Sequence, residues 1–367
     1  MSALLFLAGD VMTGRGIDQV LPHPCEPALF EDVARSALDY VELAERAHGP
    51  VNKPVDFAYV WGEALGELER RRPAARIVNL ETSVTTSQAA EPKGINYRMN
   101  PANIAVLRAA KIDCAVLANN HVLDWGELGL LDTLVALKTA GIQTAGAGST
   151  HSEASQPAII EVGATCRICV YGFGCADSGI PYHWAAGKRR PGVRPLTDLS
   201  KRTAEQIAAE IIGQKEAGDI TVISIHWGAN WGYRIAFGQQ AFARALIDLG
   251  ACDILHGHSS HHARAIEVYR GRLILYGCGD FINDYEGIRG YDAYRGDLSV
   301  MYLPCLNAAS GELEALTLVP FQMRRFRLQR ASLADTEWLR TVLNRESGQF
   351  KTCFALVHDT ELHAEWA

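Results

Sequence analysis

Short apolar runs along this chain repeatedly end in a polar cluster. The run 4–8 leads into Gly9-Asp10, 76–78 into Asn79-Leu80-Glu81, and 115–118 into Asn119-Asn120-His121. Further on, 220–225 leads into His226-Trp227-Gly228, and 253–255 into His256-Gly257-His258-Ser259-Ser260-His261-His262. Such runs read as buried parallel strands. That pattern gathers the polar residues on one sheet edge, where α/β proteins place their active sites. Carboxylate, amide and imidazole groups arriving together form a hard oxygen and nitrogen ligand set, which suits a divalent metal or acid/base chemistry.

Helical patterns fall between these strands. Residues 33–47 and 60–71 read as helices, with Pro22, Pro24, Pro27, Pro50 and Pro54 punctuating the joins. Asp124-Trp125-Gly126-Glu127 has the spacing of an N-cap with a capping-box glutamate. The helix it opens is predicted to lay Leu128, Leu131 and Val135 on a sheet, with Leu130, Leu134 and Leu137 beside them. Asn120 and His121 then sit in a strand-to-helix turn. Residues 201–217 and 239–249 continue the alternation as helices. Beyond them 273–277, 298–306 and 313–328 read as strands and 333–343 as a last helix. The expected fold is therefore a mixed α/β sandwich with an added C-terminal strand region, and it contains no internal repeat.

A length of 367 residues allows one large domain or two smaller ones. Because the motifs run from Asp10 to His262, a single site-bearing domain over 1–300 is expected, with 301–367 adding strands and a helix that complete it. The formal net charge is −7, and no stretch resembles a basic nucleic-acid arm. Nucleic acid is thereby excluded as an expected partner. The first apolar run is too short and lacks the basic start of a signal peptide, and no segment reads as a membrane span. A soluble, cytoplasmic protein is expected. Nine cysteines with scattered spacing do not form a disulfide framework. Cys166 and Cys169 lie three apart in a strand-like run, so their side chains should point to opposite faces.

Each candidate has a plain structural reading beside the chemical one. Asp10 after a buried strand is a helix cap or a ligand, and Glu81 before Thr82-Ser83 opens a turn or joins the site. His226 is a core histidine or a ligand. Four histidines within seven positions from His256, and Asn120-His121 at a strand end, are hard to explain by packing.

The ordered set resembles the calcineurin-like metallophosphoesterase superfamily, and within it the bacterial poly-γ-glutamate capsule-synthesis (CapA) family. The residues that carry the match are Gly9-Asp10-Val11-Met12, Asn79-Leu80-Glu81, Asn119-Asn120-His121 with Asp124 and Gly126, His226-Trp227-Gly228, Gly257-His258 with His261, and Tyr276-Gly277 through Asp280-Phe281. The resemblance implies a four-layer α/β/β/α sandwich with the site between the ends of its two sheets. It implies metal ligands at Asp10, Glu81, Asn120, His226, His258 and His261, holding one or two divalent ions of manganese, iron or zinc, with His121 as general acid. Asp10 and His258 would share in the chemistry. Met12 stands where the superfamily carries a histidine ligand and Glu81 where it carries an aspartate. The last two histidines are one residue further apart than in its Gly-His-x-His pattern. A thioether is a poor ligand for hard divalent ions, so one strong metal position is expected.

The expected activity is metal-dependent hydrolysis of an ester or related bond, in capsule or poly-γ-glutamate metabolism, on a small-molecule, peptide or acidic polymer substrate. Some relatives of this fold look like peptide epimerases that exchange a Cα proton without metal. Asp10, His121, His258 and Cys278 could serve that chemistry. A third reading is a non-catalytic binder of an acidic polymer, with Arg15, Arg98, Trp184, Trp227, Trp231 and Tyr233 lining a groove.

Overall fold

Alternation along the first strand, Ser2–Val11, sets the layering of the whole molecule. Phe6 and Ala8 point into one buried cluster, Leu5 and Leu7 into another, as the period of two requires. Burying each of Leu5 and Leu7 contributes about 1.5–3 kcal/mol. The same division recurs in Cys166–Cys175, where Ile168 and Val170 share the cluster of Leu5 and Leu7, while Tyr171 and Phe173 face a third. Leu5, Leu7, Ile168 and Val170 thus pack between two sheets. Helices Gly126–Thr139 and Ala37–His48 cover the outside of one sheet, and Lys201–Ile212 and Phe237–Asp248 cover the other. The chain is a four-layer α/β/β/α sandwich. The computed structural model describes residues 2–163, 166–358 and 360–367.

Among the described residues the first sheet has ten strands, and its central order is Leu298–Asn307, Ser2–Val11, Ala75–Leu80, Cys114–Val116, Gln143–Ala145. The last four of these run parallel, while Leu298–Asn307 and the later strands join antiparallel. The second sheet centres on the parallel strands Cys166–Cys175, Asp219–His226, Ile254–His258 and Arg272–Leu275. The polar clusters therefore do not share one sheet edge, as the run pattern predicts. Three lie at strand ends of the first sheet and two at strand ends of the second, because each sheet buries both faces and the pattern cannot tell one sheet from two.

Helix boundaries moved where caps decided them. The helix expected over 33–47 starts at Ala37, since Ser36 accepts from the Leu38 N–H and Asp39 reaches back in a capping box. Val33 is left 91 % exposed. The Asp124–Glu127 capping box does not form: the helix Gly126–Thr139 is capped by Trp125 without a side-chain bond. Its buried face is Leu130, Thr133 and Leu137, with Leu128 and Val135 in solvent. Thr133 decides that face, because its hydroxyl accepts from the Val84 N–H and so faces the sheet side. Cys166 and Cys169 do point to opposite faces, into different clusters. No helix among the described residues is long and apolar enough to cross a membrane.

Candidate active site

The two sheets deliver their polar strand ends to one buried place. Asp10 leaves the first strand in register with Asp280 on the short parallel strand Asp280–Ile282. Gly9 permits this approach, since a Cβ there would lie 1.9 Å from the Gly279 carbonyl oxygen. On the other sheet Ser224 pairs with His256 and His226 with His258, so alternation puts all four side chains on the same face. Gly257 between the two histidines is required as well: a Cβ would meet the Leu275 carbonyl oxygen at 2.6 Å.

One atom of Asp10, His226 and His258 apiece lies within 4.8 Å of the others, and so does one of Asp10, His261 and Asp280. Asp10 belongs to both groups. Its Oδ1 accepts from Asn79 Nδ2 at 2.7 Å, and the same amide nitrogen reaches Glu81 Oε2 at 2.9 Å. Its Oδ2 is buried and has no hydrogen-bond partner among the described residues while Glu81 is ionised, whereas a protonated Glu81 carboxyl can donate to Asp10. A buried carboxylate oxygen left bare is costly unless something cationic meets it. Glu81 stands 3.8 Å from His226 Nδ1 and 3.9 Å from His121 Nε2.

A chain of hydrogen bonds fixes the tautomer of His258. His256 Nε2 lies 2.9 Å from the Ala8 carbonyl oxygen, which can only accept, so that nitrogen carries the proton. His256 Nδ1 then accepts from the Ser224 hydroxyl at 3.0 Å. Ser224 Oγ in turn accepts from His258 Nε2 at 2.9 Å. His258 therefore keeps its lone pair on Nδ1, which faces His226 Nδ1 at 2.8 Å and Asp10 Oδ1 at 3.9 Å. Across the site, His226 Nε2 donates to Asn120 Oδ1 at 3.1 Å, leaving the His226 Nδ1 lone pair inward as well. Two lone pairs that close repel unless a cation lies between them. Support of this kind raises metal affinity by roughly 10–100-fold. Ser224→Ala should therefore weaken metal binding by about that factor in a chelator competition. A merely structural serine would lower Tm and leave the affinity unmoved.

Burial governs the titration of the cluster. It pushes Asp10 up to about 7, assisted by the nearby Asp280, and raises Glu81 well above the usual carboxylate range, with Asp10 adding to it. Burial likewise drives His226 and His258 well down. His261 moves the other way. Burial opposes its charge, but Asp280 at 2.8 Å outweighs burial and raises it. Burial thus disfavours charge on Asp10, Glu81, His226 and His258, and a divalent cation is the partner that would let the carboxylates ionise together.

His121 forms a dyad with Asp124, Nδ1 to Oδ2 at 2.6 Å. Asp124 also accepts from the Tyr97 N–H at 2.6 Å and from Lys93 Nζ at 2.7 Å. The aspartate read as a helix cap is therefore the group that orients the histidine. Burial first, then Lys93, lowers His121 to about 4 against the pull of Asp124. The Tyr97 ring packs edge-on against His121 at 4.6 Å, which fixes the imidazole plane.

Asp10, Glu81, His226, His258 and His261 come together as expected, whereas Asn120 sits on the outer nitrogen of His226 and orients that ring. Sequence reasoning named Asn79, His256 and Asp280 only as members of motifs, with no role of their own, and did not single out Ser224 or Lys93. The signal for His256 was available, since residues two apart on a strand share a face. Asp280 reaches the site through pairing with a strand far away in sequence. The six aromatic and basic residues do not form one groove. Trp227 and Trp184 are buried, Arg98 lies over Trp125 with its guanidinium bonded to backbone carbonyls, and Arg15 is paired with Asp284 and Glu31. Cys278 is buried, and burial pushes its thiol up, which keeps it protonated at neutral pH.

A four-layer sandwich with aspartate, histidine and amide groups at the joined strand ends is the metallophosphoesterase-like arrangement. Residues 4–285 match the family described as bacterial capsule synthesis protein PGA_cap, and the chain belongs to that family. It is 48 % identical over 348 residues to a Mycobacterium tuberculosis protein described as "Probable polyglutamine synthesis accessory protein", covering 94 % of this chain and 91 % of that one. It is 29 % identical over 287 residues to the "PGA biosynthesis protein CapA" of Bacillus subtilis, covering 78 % of this chain and 64 % of that one. Identity to the "Capsule biosynthesis protein CapA" of Bacillus anthracis is 26 % over 287 residues, covering 78 % and 61 %.

Proposed function

We propose that this protein is a metal-dependent hydrolase of an ester or related bond, working in glutamate- or glutamine-polymer metabolism. The observation that carries this reading is the bare, buried Oδ2 of Asp10, flanked by inward-facing imidazole lone pairs. Asp10, His226 and His258, with Glu81 beside them, would hold one divalent ion of manganese, iron or zinc. Asp10, His261 and Asp280 would hold a second, the Asp280 carboxylate supplying the donor that Met12 cannot. Such an ion, when bound, lowers the pKa of a water and polarises the substrate oxygen.

The chain's own groups do the rest. Asn79 steadies Asp10 and Glu81 from one amide nitrogen. His121, held at Nδ1 by Asp124, presents Nε2 toward Glu81 and hands its proton to the departing group. Asp124, and the negative charge that develops on the departing atom, favour the proton at Nε2 against the effects of burial and Lys93. The test is turnover of a chromogenic phosphodiester, of γ-linked glutamate oligomers and of α-linked glutamine oligomers. Activity on at least one is expected, stopping with chelator and returning with manganese. Equal turnover in chelator would overturn the proposal, and no turnover by metal-loaded protein would point to an accessory, non-catalytic role.

A further inference from the structure

A cavity of about 650 Å³ opens beside the site and reaches it through His261, one of the groups clustered with Asp10. Its size lies within the roughly 300–1,000 Å³ of small-molecule and peptide sites. One wall is an aromatic plate, where Trp231 stacks on Tyr291 with ring centres 4.1 Å apart and planes 4° from parallel.

The charges of the wall decide what it can hold. Arg15 and Arg295 are its lining guanidinium groups, and no lysine lines it among the described residues. Both are already matched. Arg15 donates to Asp284 at 2.8 and 2.5 Å and to Glu31 at 3.0 Å, beneath the Tyr40 ring. Arg295 donates to Asp297 at 2.8 and 2.9 Å and to Asp335 at 2.7 Å. His48 is bound to Glu286 at 2.6 Å and His261 to Asp280 at 2.8 Å. Asp32 and Asp292 also line the cavity, and neither has an ion-pair partner among the described residues.

We infer that this cavity is a substrate subsite selective for a neutral, carboxamide-bearing oligomer of glutamine type over a polyanion of glutamate type. A side-chain carboxylate entering here would shed water and meet matched cations and free carboxylates, leaving a charge without a partner. A carboxamide in the same place donates its N–H groups to Asp32 or Asp292 while its methylenes lie on the Trp231 plate. The overall charge of −7 acts in the same direction. The fate of the bound oligomer rests on the hydrolase reading; the binding preference does not.

The test is titration of the full chain, followed by tryptophan fluorescence, with end-blocked α-linked pentamers of glutamine and of glutamate. It is run once in chelator and once in manganese. The glutamine pentamer is expected to bind at least about tenfold tighter in both. Trp231→Ala should weaken it, and the double variant Asp32→Lys/Asp292→Lys, both positions being exposed, should narrow or reverse the preference at unchanged Tm. Equal or tighter binding of the glutamate pentamer, or binding of neither, overturns the inference. Selective binding without cleavage in manganese supports it and overturns the hydrolase reading alone. Cleavage of both pentamers with equal kcat/KM leaves the hydrolase reading standing and overturns the selectivity.

Discussion

Asp10→Asn should strip the protein of bound metal at both groups of ligands and remove its turnover with it. Asp10 is the residue the two groups share, and among the described residues no other side chain offers both a bound and a bare oxygen at that point. The loss should exceed the roughly 10–100-fold that follows removal of a supporting residue, because the ligand itself is gone. The amide oxygen of the variant can still accept from Asn79, so the first strand keeps its partner. Removing a buried carboxylate also removes its desolvation cost, and the metal-free variant should melt at or above the wild-type temperature. Wild type should gain stability with metal, about 2.7 kcal/mol at a hundred times Kd, and the variant should gain none. Retained metal with retained activity would take Asp10 out of the site.

His121→Ala should lower turnover by roughly 10²–10⁴-fold while metal content stays near wild type. His121 touches the cluster only at 3.9 Å from Glu81, and its other nitrogen is held by Asp124, so its loss leaves the ligand groups standing. Asp124→Asn separates orientation from proton transfer. It keeps a side chain of the same shape but presents His121 with the wrong partner, so turnover should fall in the same direction. Unchanged turnover in His121→Ala would remove it from the mechanism, and loss of metal together with activity would make it a ligand.

Much of this arrangement could be read along the chain because its strands are buried on both faces and end in chemistry. Asp10, Glu81, His226 and His258 follow runs whose burial leaves no other place for a polar residue than the strand end. What could not be read depended on partners distant in sequence. Asp280 acquires its place by pairing with Asp10, and Asp124 was read as a helix cap because local spacing favoured that, although His121 and Tyr97 claim its oxygens. The helix Gly126–Thr139 was turned the wrong way for a similar reason. Its leucines and valine surround the axis, so apolar pattern alone chooses no face, and the Thr133 bond to Val84 makes the choice. The two-sheet division escaped the run pattern too, since parallel strands in either sheet look alike.

The assignment of a metal centre to Asp10, His226, His258, His261 and Asp280 is tested most directly by elemental mass spectrometry of the purified full chain, with turnover measured on the same sample. At least one manganese, iron or zinc ion per chain is expected, and turnover should rise and fall with that content as chelator removes the ion and added metal restores it. A fully active protein containing no metal would contradict the assignment and would move the chemistry to metal-free proton exchange by the same buried histidines and carboxylates.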